Sequence, residues 1–232
     1  MQRRNVNQAI VSATGLLLLA AYRQANALSL ADLTNAQAGS GVKIALERCV
    51  SVAVDVLGRP DGFLGNPKVR IALPGYLEDA SQLLKNLGQG RRIDELTTSI
   101  NRAAEEAVPL GKDLLVGAVR AMNVNDAKNI LTGGNNSATA FFAEKTRANL
   151  GIKFLPIVTR ATEKVGLAQQ YNEFAGKVAS FGLMKKEDAN IQQYVTGKSL
   201  DGLFLMIGEE ESKIRSNPVE SGSAILQKIF GR

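Results

Sequence analysis

The sequence predicts an all-α fold, one helical bundle of roughly seven to nine helices with one long irregular loop. Three observations predict it. Apolar residues recur three and four apart along most of the chain, which is the period of a helix face. Glycines and prolines fall at the ends of those runs, where they stop helices. Only residues 69–73 alternate apolar and polar, so at most one short strand is expected there.

The N-terminus is expected to direct export. Arg3 and Arg4 form a positive start, residues 9–21 an apolar run, and Ala25-Asn26-Ala27 a small-x-small cleavage site. That run is shorter than a membrane span needs. Residues 1–27 therefore read as a cleaved signal peptide and 28–232 as a single helical domain with no transmembrane segment. Tyr22 follows Leu19-Ala20-Ala21 where lipidation requires cysteine, so no lipid anchor is expected. The arginine pair fits an ordinary secretory signal better than a twin-arginine one.

Each element has its own pattern. Residues 28–36 suggest a short helical entry, broken by Gly39-Ser40-Gly41. The next helix, 42–57, places Val42, Ala45, Leu46, Cys49, Ala53 and Leu57 on one face. Residues 58–74 hold three prolines and three glycines and cannot be helical. Helices follow over 76–87, 91–108 and 110–122, the last separated by Pro109. A short helix over 125–131 is stopped by Gly133 and Gly134, taken as left-handed. Asn136 or Ser137 should cap the next helix, 137–165, which buries Phe141, Phe142, Ala148, Ile152 and Leu155 and kinks at Pro156. Helices over 167–181, 188–217 and 221–230 complete the chain.

Composition excludes several chemistries. The chain has no histidine, which removes Ser-His-Asp and Cys-His catalysis and the usual zinc sites. The formal charge is +6 overall, but three of the arginines lie in the signal, so no nucleic-acid footprint remains. Cys49 is the sole cysteine and sits on an apolar stripe. A buried free thiol is expected, with an intermolecular disulfide as the alternative.

Motifs narrow the field further. Gly197-Lys198-Ser199 lacks the first glycine of a phosphate loop, and Gly39-x-Gly41 and Gly88-x-Gly90 lack the third of a dinucleotide fingerprint. Ser40-Gly41-Val42-Lys43 matches Ser-x-x-Lys without its companion elements, so Ser40 reads as a helix cap. Glu209-Glu210-Glu211 reads as a solvated face, with Glu209 and Glu211 each four residues before a cation. No catalytic residue, metal ligand or cofactor is expected.

Two stretches are candidate binding surfaces. The polar hinge Thr132, Gly133, Gly134, Asn135 and Asn136 could bind an anion at the following helix N-terminus, with Lys145 and Arg147 further along. Its plainer reading is a turn. The 60–74 loop offers Phe63 as an apolar anchor and Asn66, Lys68 and Arg70 as polar contacts. Its plainer reading is a strap over the bundle.

Leu28-Ser-Leu-Ala-Asp-Leu, Pro60-Asp-Gly-Phe-Leu-Gly-Asn-Pro-Lys-Val-Arg-Ile, Ala127-Lys-Asn-Ile-Leu-Thr-Gly-Gly, Lys153-Phe-Leu-Pro-Ile-Val and Leu200-Asp-Gly-Leu-Phe-Leu-Met-Ile together resemble a family of exported bacterial proteins known only as domain of unknown function 4197. The resemblance implies a helical fold in the periplasm or outer envelope and no known activity. The leading expectation is a non-enzymatic protein binding a small ligand or an envelope protein. The alternatives are a histidine-free hydrolase or lyase using carboxylate or lysine chemistry, and an envelope assembly factor. Asp126, Glu144, Lys145 and Arg102 meeting in one cleft would favour the enzyme.

Overall fold

A computed structural model describes residues 35–75, 78, 86, 88, 90–163, 165–180 and 189–217. Expectations for residues 1–34, including the signal peptide, and for 221–230 lie outside the described residues, as does most of 76–89. The described chain is all-α, with helices α1 (Asn35–Leu57), α2 (Gly90–Ala107), α3 (Lys112–Ala121), α4 (Val124–Thr132), α5 (Ser137–Thr162), α6 (Gly166–Ser180) and α7 (Ile191–Ser216). A 3-10 turn, Val108–Gly111, joins α2 to α3 around Pro109. The expected total of helices included segments that are not described.

The two longest helices after the hinge, α5 and α7, pack together as the spine. Helix α2 lies against α5, and α1 against α7, with α3 and α4 closing the remaining side of α1. The apolar stripes of α1, α2 and α7 are buried as their spacing predicts. Leu96, Ile100, Ala53, Leu203 and Ile207 are all fully enclosed.

Three local expectations are corrected. Among the described residues, helix α1 spans Asn35–Leu57 and runs through Gly39-Ser40-Gly41 without a break. Gly41 and Val42 are buried against the bundle, and that packing outweighs the roughly 1 kcal/mol that each glycine costs a helix. Ser40 is therefore an exposed mid-helix residue and not a cap. Helix α5 turns a different face inward: Phe141, Phe142, Thr146, Leu150, Phe154, Ile157 and Val158 are buried, whereas Ile152 is 72% exposed. Helix α5 also continues through Pro156.

The third correction concerns residues 69–73. No strand forms among the described residues. The alternation itself is real: Val69, Ile71 and Leu73 are buried, and Arg70 and Ala72 are exposed. The partner that a strand would have supplied is a side chain, Asn101 on α2. Its Oδ1 accepts from the Ile71 N–H at 2.8 Å and its Nδ2 donates to the Ile71 carbonyl at 2.9 Å.

Candidate functional site

The hinge is built from both sides. Asn123 caps α4 in a reciprocal box: its side chain accepts from Asp126 N–H, and Asp126 accepts from Asn123 N–H. Gly133 ends α4 in an extended conformation (φ −76°, ψ 169°), not the left-handed one. Glycine is needed there because a Cβ would lie 2.6 Å from Ser137 Cβ and 2.7 Å from Asn129 O. Asn136 makes no side-chain cap for α5. The cap comes instead from α7, where the buried Glu211 carboxylate accepts from Ala138 N–H at 3.2 Å. Arg215 holds that carboxylate at 2.7 Å and also donates to the Ile130 carbonyl at the end of α4 at 2.6 Å. The chain thus places its own carboxylate at the helix N-terminus where an anion was expected. Thr132 turns back to bond Lys128 O, and Gly134, Asn135 and Asn136 are exposed.

Lys145 lies one face away, in a groove of about 390 Å³ between α3, the start of α4 and α5. Leu114, Ala118, Met122 and Phe141 form its apolar floor, and Asp113, Asp126, Lys145 and Asn149 its rim. Gly117 lines the groove with open space where a side chain would begin. Lys145 bonds Glu144 at 2.8 Å. That hydrogen bond, the charge of Glu144 and the more distant charge of Asp126 raise the lysine above its ordinary pKa and hold it as an ammonium. Of the four residues whose convergence would favour an enzyme, Asp126 and Lys145 line the groove and Glu144 pairs with Lys145. Arg102 is elsewhere, bonded to Glu105 and Asp61.

The loop is fastened from beneath. Phe63 is fully buried, so it anchors the loop to the core and presents no surface. Its ring fits against Gly202 of α7, where a Cβ would lie 2.8 Å from Phe63 Cε1. Glu105, buried on α2, accepts from the N–H groups of Phe63 and Leu64 at 3.0 Å each. Gly62 approaches α1 so closely that a Cβ would sit 2.4 Å from Leu57 O. Asn66 organises the outer turn, accepting from Lys68 N–H through its side chain and from Arg70 N–H through its carbonyl.

Arg70 stands on a ridge between two clefts. One, about 630 Å³, faces α2 and includes Leu64, Glu78, Asp94 and Thr97. The other, about 300 Å³, faces α7 and includes Lys68, Tyr194, Lys198 and Asp201. Lys68 pairs with Glu209 at 2.8 Å, and Arg147 with Asp201 at 2.6 Å. Arg147 also lies over the Phe204 ring. The sequence-derived residues are therefore distributed: Lys68 and Arg70 share a cleft that Arg147 borders through Asp201, while Lys145 belongs to the groove beside α3. Sequence reasoning missed Asn101, Glu105 and Glu211 as internal clamps. Their partners lie 30 or more residues away, and no local pattern marks them.

Among the described residues no group of acidic or cysteine side chains could hold a metal ion, and no helix is long and apolar enough to cross a membrane. The class so defined is an all-α protein with surface clefts and a clamped loop. The chain belongs to the family described as protein of unknown function (DUF4197), which matches residues 32–231. No curated protein and no solved structure matches it.

Proposed function

We propose that this is an exported binding protein, not an enzyme, and that an amphipathic small molecule lies in the groove between α3, α4 and α5. The observation that carries the reading is Lys145, a lysine kept charged at the rim of an apolar floor. A catalytic lysine must lose its proton to act as base or nucleophile. Here Glu144 and Asp126 oppose that loss. A charged lysine suits a polar or acidic head group, and Leu114, Ala118, Met122 and Phe141 suit an apolar body. The volume of about 390 Å³ falls within the range of small-molecule sites. Export rests on the reading of residues 1–27 as a signal peptide, and the periplasm is the destination proposed.

The test compares the exported protein with Gly117→Leu, both purified without detergent and examined by native mass spectrometry. Gly117 is exposed and faces open space, so leucine fills the groove without displacing the fold. The expected result is a bound molecule of reproducible mass in the parent, absent from the variant, with unchanged helical circular dichroism. A parent that carries no molecule and does not bind a fluorescent fatty-acid probe would overturn the reading.

A further inference from the structure

We infer that the cleft between residues 68–72 and α7 is a second binding site, for a small doubly charged oxyanion such as a dicarboxylate or phosphate. It shares no lining residue with the groove beside α3, so the two readings stand or fall separately.

The argument is one of charge and position. Tyr194, Lys198 and Asp201 are spaced four and three apart, so they share one face of α7. The loop brings Lys68 and Arg70 opposite them, around a space of about 300 Å³. Three cations and one carboxylate line this space. The carboxylate, Asp201, is bonded by Arg147 from outside the lining. Lys68 is bonded by Glu209, also from outside. Among the described residues this leaves Arg70 and Lys198 without a carboxylate partner. Lys198 rests instead over the Tyr194 ring, 5.7 Å from its centre.

The backbone that carries the loop cations is also held in place. Arg70 N–H donates to Asn66 O at 2.8 Å, and the next residue, Ile71, is fixed on both sides by Asn101. Tyr194 Oη donates to Ala72 O, joining α7 to the loop across the cleft. Buried Val69 and Ile71 give the space an apolar side, where charge interactions are less screened than in water. A guanidinium fork and an ammonium facing a small preorganised space match a compact oxyanion with two charges. An extended polyanion would not fit this volume.

Isothermal titration of the exported protein at low salt, once with sodium phosphate and once with sodium succinate, tests the inference. One of the two should bind with a dissociation constant below about 1 mM, and which one binds tells phosphate from dicarboxylate. Arg70→Ala and Lys198→Ala should each weaken it about tenfold or more, because each removes a charge-assisted contact. Lys128→Ala removes the same charge on α4 and should change nothing. All three side chains are exposed, so loss of folding does not confuse the result. If neither anion binds, the inference fails. It fails equally if Lys128→Ala weakens binding as much as Arg70→Ala, since binding would then follow net charge alone.

Discussion

Asn101 holds Ile71 as a neighbouring strand would, with one acceptor and one donor on a single side chain. Its second amide hydrogen reaches Thr97 O at 2.8 Å, so both amide hydrogens are used. Asn101 and Ile71 are both buried, and water cannot replace these bonds. Asn101→Ala leaves a buried N–H and a buried carbonyl unpaired, at about 1–3 kcal/mol each. The expected loss is about 2–6 kcal/mol in urea denaturation. Hydrogen exchange should accelerate at Ile71 while Ala138 stays protected. Asn101→Asp should be no milder, because it keeps the acceptor but sets a carboxylate against two carbonyls.

Two glycines inside helices should respond to alanine with opposite signs. At Gly117 a Cβ meets nothing within 4 Å, so Gly117→Ala should stabilise by about 0.5–1 kcal/mol through helix propensity. At Gly202 the same Cβ would lie 2.8 Å from Phe63 Cε1 and 3.2 Å from Val69 Cβ. Phe63 is fully enclosed and cannot swing away. Overpacking of this kind costs about 1–3 kcal/mol, more than the propensity gain, so Gly202→Ala should destabilise. Thermal denaturation of the two variants side by side checks the pair. A stabilised Gly202→Ala would mean that the loop is not seated as described.

The sequence made the helical class legible because burial repeats with the helix period, and that period survives in α1, α2 and α7. It failed where a local rule met a distant partner. Gly39 and Gly41 looked like a break, yet Gly41 is buried in α1. Ile152 and Leu155 looked like core, but α5 turns Phe154 and Val158 inward to meet the bundle, and apolar residues fall on both faces of that helix. The 69–73 alternation gave the correct inward side while hiding that its partner was an asparagine. Of the cations singled out in the sequence, Lys68 and Arg70 on the loop and Lys145 on α5 each line a cleft. Their companions, Lys198 and Gly117, come from other helices and could be found only once those helices were packed.

Cys49 is the clearest source of pH dependence. Burial, and next the negative charges of Glu211 and Glu210, push its thiol up from 9.0 to about 12. The folded state therefore favours the protonated thiol. Its contribution to stability is fully present below the unfolded value near 9 and is lost as pH rises from there through about 12. Cys49→Ala should flatten the alkaline fall in stability across that window, while removing a small buried group lowers stability at neutral pH. A thiol reagent should label the native protein at pH 8 only as fast as the chain opens. Labelling as rapid as that of the unfolded chain would contradict the burial.

Glu211 and Arg215 form the most consequential ion pair in the described structure, because they close the hinge as well as balance each other. Their side chains are 5% and 14% exposed, unlike the surface pairs around them. Ser137 Oγ stands within 3.2 Å of both, and Ala138 N–H and Ile130 O complete the set. Glu211→Ala strands the guanidinium among partly buried carbonyl and hydroxyl groups, and breaking a buried pair from one side costs about 3–5 kcal/mol. Glu211→Met with Arg215→Met strands no charge and leaves only the Ala138 N–H unpaired, since Ser137 Oγ still donates to Ile130 O at 2.9 Å, so the double variant should be more stable than Glu211→Ala alone. A double-mutant cycle by chemical denaturation gives the coupling directly. Strict additivity would show that Glu211 and Arg215 act on the hinge independently, Glu211 as the cap of α5 and Arg215 as the donor to Ile130 O, and not as a coupled pair.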